Sequence, residues 1–66
     1  MFSEYEVVNL KRPQSGLSAG AIGAIVMVYD SVPLAYEAEF TDPRGMTVAV
    51  LTLRDDDLEP TCPRNN

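Results

Sequence analysis

The stretch Gly20-Ala21-Ile22-Gly23-Ala24-Ile25-Val26-Met27-Val28-Tyr29 decides the fold, because it runs its whole length without a charged or amide side chain. Its β-branched content favours a strand, and apolar residues on both faces place that strand inside a sheet rather than with one face in water. It is read here as the central and most buried strand. Gly23 within it is read as a bulge or bend of the kind that lets a small sheet curl. The run is far shorter than the roughly 20 apolar residues that a spanning helix needs, so no membrane role is expected.

Downstream, Asp30-Ser31-Val32-Pro33-Leu34 breaks the pattern, since Pro33 cannot donate to a ladder and Asp30 and Ser31 favour turns. Ala35 to Thr41 then alternates cleanly, with Tyr36, Ala38 and Phe40 on one face and Glu37, Glu39 and Thr41 on the other. Asp42-Pro43-Arg44-Gly45 has proline second and glycine fourth, as a type I β-turn prefers. The returning strand, Met46 to Leu53, is apolar on both faces, so one face needs cover. Asp55-Asp56-Asp57 suits a single 3₁₀ turn in which Asp55 caps the following amides, and Leu58 docks a short last strand. Upstream, Tyr5 to Leu10 reads as a first strand with Val8 and Leu10 inside. Lys11 to Ala19 is a surface loop anchored by Leu17.

The expected architecture is therefore all-β: a small five-stranded SH3-like barrel with a short 3₁₀ turn before the last strand. Residues 1–59 form this single domain, and residues 60–66 are expected to be a disordered tail. The alternative is an open sheet of three or four strands that pairs across a dimer. A chain of 66 residues buries little surface for the entropy it loses, so a curled sheet or a partner is needed for stability.

Composition narrows the chemistry. With Lys and Arg numbering 5 against 10 Asp and Glu, the formal charge is -5, which repels phosphate backbones and anionic lipid and attracts cationic proteins. There is no His, and Lys11 is the only lysine, so a nucleophile triad cannot be assembled from these residues. Gly16, Gly20 and Gly23 lack the spacing of a dinucleotide fingerprint and the ending of a phosphate loop. Glu37 and Glu39 sit two apart on a strand face without an enclosing cleft, unlike an acid-base pair. The acidic run Asp55 to Asp57 with Glu59 lacks EF-hand spacing and reads as capping and solubility. The lone Cys62 cannot form an intrachain disulfide and reads as an unreactive thiol in the tail. No enzyme activity, cofactor or metal is expected.

Gly20 to Tyr29, a glycine, two residues, a second glycine and a Val-rich strand, resembles the signature of small SH3-like and KOW-type barrels. More closely, four further segments join it: Tyr5-Glu6-Val7-Val8, Gly16-Leu17, Tyr36-Glu37-Ala38-Glu39-Phe40 and Thr47 to Leu53. Together they resemble a family of short bacterial proteins catalogued as a domain of unknown function, over nearly the whole chain up to Glu59. Ala24 and Ala38 are smaller than the Val and Thr such a barrel core would carry. The resemblance implies a free-standing SH3-like barrel and an accessory or antitoxin-like partner of another small protein.

These readings converge on a non-enzymatic, cytoplasmic protein-interaction module, of antitoxin or immunity type or an accessory subunit. The expected partner is another protein, with a basic one favoured by charge, or a second copy in a homodimer. Strand addition at an exposed edge and charge steering by Glu37, Glu39 and Asp55 to Asp57 are the expected means. Tyr29 and Tyr36, as aromatics flanking a loop, complete the candidate partner-binding set with Glu37, Glu39 and Arg44. The alternative is a KOW-like nucleic-acid or ribosome-associated module with Lys11, Arg12 and Arg44 as contacts. Five scattered cations make a poor phosphate track, so nucleic acid is the less favoured partner.

Overall fold

A computed structural model describes residues 1–61. Its strands are β1 (Val7–Leu10), β2 (Ile22–Tyr29), β3 (Ala35–Thr41), β4 (Thr47–Arg54) and β5 (Leu58–Pro60), with a 3₁₀ turn at Asp55–Asp57 before the last. All five lie in one antiparallel sheet of order β4-β3-β2-β1-β5. The all-β architecture, the strand count and the 3₁₀ turn agree with the sequence reading. The sheet is not closed, however: β4 and β5 are its two edges, joined through the 3₁₀ turn without a ladder between them. A three-residue strand ending in Pro60 has too few backbone donors to complete a barrel seam. Pro60, placed in the expected tail, pairs with Val8 as part of β5, and residues 62–66 of that tail, with Cys62, lie outside the described residues.

One face of the sheet carries the core: Val8, Leu10, Ile25, Tyr36, Ala38, Phe40, Leu53 and Leu58, capped from the N-terminal segment by Phe2. Val8 and Leu10 point inward as the alternation implies, and Leu17 anchors its loop by packing against this cluster. That loop is itself a tight reverse turn. Ser15 and Gly16 both have positive φ, 53° and 81°, and Gln14 and Leu17 exchange backbone hydrogen bonds across them. This is the backbone twist that two-residue hairpin turns require.

β3, not β2, is the most buried strand, because its strict alternation presents Tyr36, Ala38 and Phe40 to the core. In β2 only Gly23 and Ile25 are buried. The bulge also falls elsewhere than expected. Ile25 pairs with Ala38 and Met27 with Glu37, which leaves Val26 as the extra residue. The inward positions shift accordingly, from Gly23 and Ile25 before the bulge to Val28 after it. Gly23 serves a different end: a Cβ there would lie 2.7 Å from Phe40 Cε1, so glycine makes room for the ring on the neighbouring strand.

The ends of the sheet are tied by short polar devices. Asp42 Oδ1 accepts from the backbone N–H of Arg44 at 2.9 Å and of Met46 at 3.0 Å, and Gly45 closes the β3–β4 turn with φ 85°. At the other end of β4 the expected cap at Asp55 is not formed. Asp57 instead accepts the Arg54 N–H at 3.0 Å, because its carboxylate reaches back one turn, while Asp55 turns to Tyr36. No helix among the described residues is long and apolar enough to cross a membrane.

Candidate interaction surface

Residues directly opposite one another in an antiparallel pair share a face, so the strand register defines the outer surface. One row crosses four strands as Val7, Ala24, Glu39 and Val50, and a second places Met27, Glu37 and Thr52 side by side. Ile22, Met27, Val7 and Val50 are exposed there, Val50 to 52%. The apolar second faces noted in β2 and β4 are therefore open to solvent. Among the described residues no other element covers them.

Glu37 sits at the centre of this surface and is held in place from both sides. Tyr29 Oη on β2 donates to Glu37 Oε2 at 3.0 Å, and Thr52 Oγ1 on β4 donates to Oε1 at 2.9 Å. The hydrogen bond to Glu37 and the proximity of its charge raise the Tyr29 pKa above 10.0, since ionising the phenol would break the bond and set two anions together. Glu39 is held in the same way by Thr47 Oγ1. The β3 alternation that sequence reading identified puts both carboxylates outside, but which hydroxyls on the neighbouring strands β2 and β4 reach them depends on the strand register.

Four of the five candidate residues lie on or beside this outer surface. Tyr29, Glu37 and Glu39 are brought together, while Arg44 occupies the exposed β3–β4 turn. The fifth, Tyr36, is a correction: its side chain is 0% exposed and lies on the opposite face. It stacks edge-on against Phe2 with centroids 5.6 Å apart. Its hydroxyl accepts the Phe2 N–H at 3.1 Å and donates to Asp55 Oδ1 at 2.7 Å, so the residue ties the N-terminus and the 3₁₀ turn to the core. Burial, which disfavours the phenolate, is the main cause that raises its pKa; the hydrogen bond from the Phe2 amide offsets part of this, and the hydrogen bond to Asp55 and the Asp55 charge add smaller increases.

Two of the three carboxylates of the acidic turn are taken up by separate structural contacts. Asp55 takes the Tyr36 hydroxyl and lies 3.9 Å from the N-terminal ammonium, and Asp57 pairs with Arg12 at 3.3 Å. The Arg54 amide, with help from Gln14 and Arg12, holds the Asp57 carboxyl below its ordinary value. No group of three potential metal ligands converges among the described residues. Sequence reading missed Val50, Thr52 and Met27 as surface-defining residues, because only pairing with β3 shows that Met27 and Thr52 flank Glu37 and that Val50 lies opposite Glu39.

The fold and surface define a small open-sheet domain with one face packed as its core and the other exposed as a mixed apolar and acidic surface. Within that class the chain belongs to the family described as domain of unknown function DUF4926, whose model matches residues 4–60. No curated protein and no solved structure matches it.

Proposed function

We propose that this chain is a protein-interaction module whose outer sheet surface binds a cationic partner protein, as an accessory or antitoxin-like subunit in a bacterial cytoplasm. The observation that carries this reading is the carboxylate of Glu37, fixed by Tyr29 and Thr52 within exposed apolar side chains. A fixed carboxylate loses little entropy when it receives a lysine or arginine. The surrounding Met27, Tyr29 and Val50 supply the kind of apolar and aromatic contact that dominates interface centres. The net charge of -5 adds long-range attraction for a basic partner. The strand order β4-β3-β2-β1-β5 and the 3₁₀ turn before β5 also favour an SH3-like relationship for this open sheet.

The nucleic-acid alternative has less to support it. Arg12 is engaged by Asp57 at one end of β4, whereas Arg44 lies at the other, so the cations do not form a track. Affinity capture from the native cell, run with wild type, a Glu37→Lys/Glu39→Lys variant and a Glu59→Lys control, tests the proposal. A stoichiometric protein held by wild type and control but lost by the double variant is the expected result. Identical capture by all three baits would place the binding surface elsewhere, and a ribonuclease-sensitive signal would favour the alternative.

A further inference from the structure

The two edges of the sheet are protected very differently. β5 is three residues long and ends in Pro60, which has no N–H to offer. β4 runs for eight residues, Thr47-Val48-Ala49-Val50-Leu51-Thr52-Leu53-Arg54, with neither proline nor lysine. Its one irregularity is the extra residue at Val48, where Phe40 pairs with Ala49 and Thr41 with Thr47.

Which backbone groups point outward follows from the alternation of antiparallel ladders. Ile25 bonds toward β1, donating to Glu6 and accepting from Tyr5, so its neighbour Ala24 bonds toward β3 and its partner Glu39 toward β2. Ala38 and Phe40 then bond toward β4, where they meet Leu51 and Ala49. Val50, Thr52 and Arg54 accordingly direct their amides to the open edge. The Arg54 N–H is taken by Asp57, which leaves Val50 and Thr52 with outward backbone groups.

We propose that this edge pairs with the same edge of a second copy, antiparallel about a two-fold axis at Leu51, to make one continuous sheet across a homodimer. In that register Val50 of each copy exchanges both hydrogen bonds with Thr52 of the other, and the two Leu51 side chains meet on the core face. The charges at the ends of β4 single out a copy of this chain as the occupant. Arg44 precedes Leu51 by seven residues and Asp57 follows it by six, so each Arg44 approaches the acidic turn of the opposite copy. Arg44 is exposed and makes no ion pair within the described chain, and the Asp56 carboxylate is likewise unpaired. Such a dimer also sets both Glu37 surfaces on one sheet. The inference stands independently of the partner reading, because it uses the edge and not the outer face.

Sedimentation or light scattering across a wide concentration range tests it, alongside circular dichroism to confirm folding. Wild type is expected to be dimeric. Thr52→Pro, which removes an outward N–H not used by β3, is expected to be a folded monomer. Arg44→Glu is expected to weaken the dimer roughly tenfold, and adding Asp56→Arg to restore it, since the symmetric pairs are reversed together. A folded wild type that stays monomeric at millimolar concentration overturns the proposal. So does a dimer that persists unchanged in both Thr52→Pro and Arg44→Glu. A Glu37→Lys/Glu39→Lys variant that loses its partner but keeps its dimer mass separates failure of the partner reading from failure of this one.

Discussion

Gly23→Ala is a one-methyl perturbation with an outcome that the geometry specifies. The added Cβ would lie 2.7 Å from Phe40 Cε1, 2.8 Å from Cδ1 and 3.0 Å from the Glu39 carbonyl oxygen, where ordinary contact starts at 3.4 Å. The ring would have to retreat by 3.4 − 2.7 = 0.7 Å, yet Phe40 is 1% exposed and packed on all sides. The Glu39 carbonyl cannot move easily either, because it belongs to the ladder with β2. Overpacking of this kind costs about 1–3 kcal/mol. Replacing glycine in a strand offsets roughly 0.5–1 kcal/mol of that through reduced unfolded-state entropy. A net loss of about 1–2 kcal/mol in a domain this small lowers Tm by roughly 5–15 °C. Thermal and urea unfolding followed by circular dichroism measure it directly. The decisive form is a double-mutant cycle with Phe40→Leu, which removes the ring atoms that the methyl would strike. In that background Gly23→Ala should be neutral or stabilising, giving a coupling of at least about 1 kcal/mol. Equal penalties in both backgrounds, or a Gly23→Ala variant as stable as wild type, would refute the close packing of glycine against the ring.

Two further outcomes follow from the polar ties at the ends of the sheet. Tyr36→Phe keeps the core volume but leaves the Phe2 N–H and Asp55 without the hydroxyl between them, and a loss of about 1–2 kcal/mol is expected. An unchanged urea midpoint, with unchanged amide protection at Phe2, would mean that the N-terminal segment does not depend on this residue. The Asp57 carboxyl is held below its ordinary value of 3.8, first by the Arg54 amide, so it contributes stability at neutral pH that disappears as pH falls below about 4 through the folded value. Asp57→Asn should therefore be less stable than wild type at neutral pH and show a shallower fall toward pH 2. Parallel acid limbs for the two proteins in urea titrations at several pH values would count against this assignment.

Much of the architecture was legible because β-sheet physics is local where a strand has one wet face. The alternation Tyr36-Glu37-Ala38-Glu39-Phe40 needs no partner to reveal which side is core, and Asp42-Pro43-Arg44-Gly45 announces its turn through proline and glycine alone. Where both faces are apolar, that signal vanishes. Ile22 to Tyr29 gave no means of telling a fully buried strand from one with an uncovered outer face, and it is the second kind. Gly23 was ambiguous for a related reason. Glycine marks a bulge, a bend or a close approach alike, and only the position of Phe40 on the next strand selects among them. Tyr36 shows the same limit at the candidate site: its alternation placed it on the core face, while its loop-flanking position suggested a binding groove, and burial decided in favour of the core.

The amino-acid sequence alone determined that the chain is all-β, where its turns fall, that its excess charge is acidic and that the familiar nucleophile triads lack a histidine. These depend on side-chain identity and on spacing within a few residues. Tertiary structure alone decided that the sheet stays open, that β4 is the unprotected edge, and that Tyr29, Glu37 and Thr52 form one cluster on the outer face. Each of those depends on register between strands, which is set by the sum of many weak cross-strand contacts rather than by any one segment.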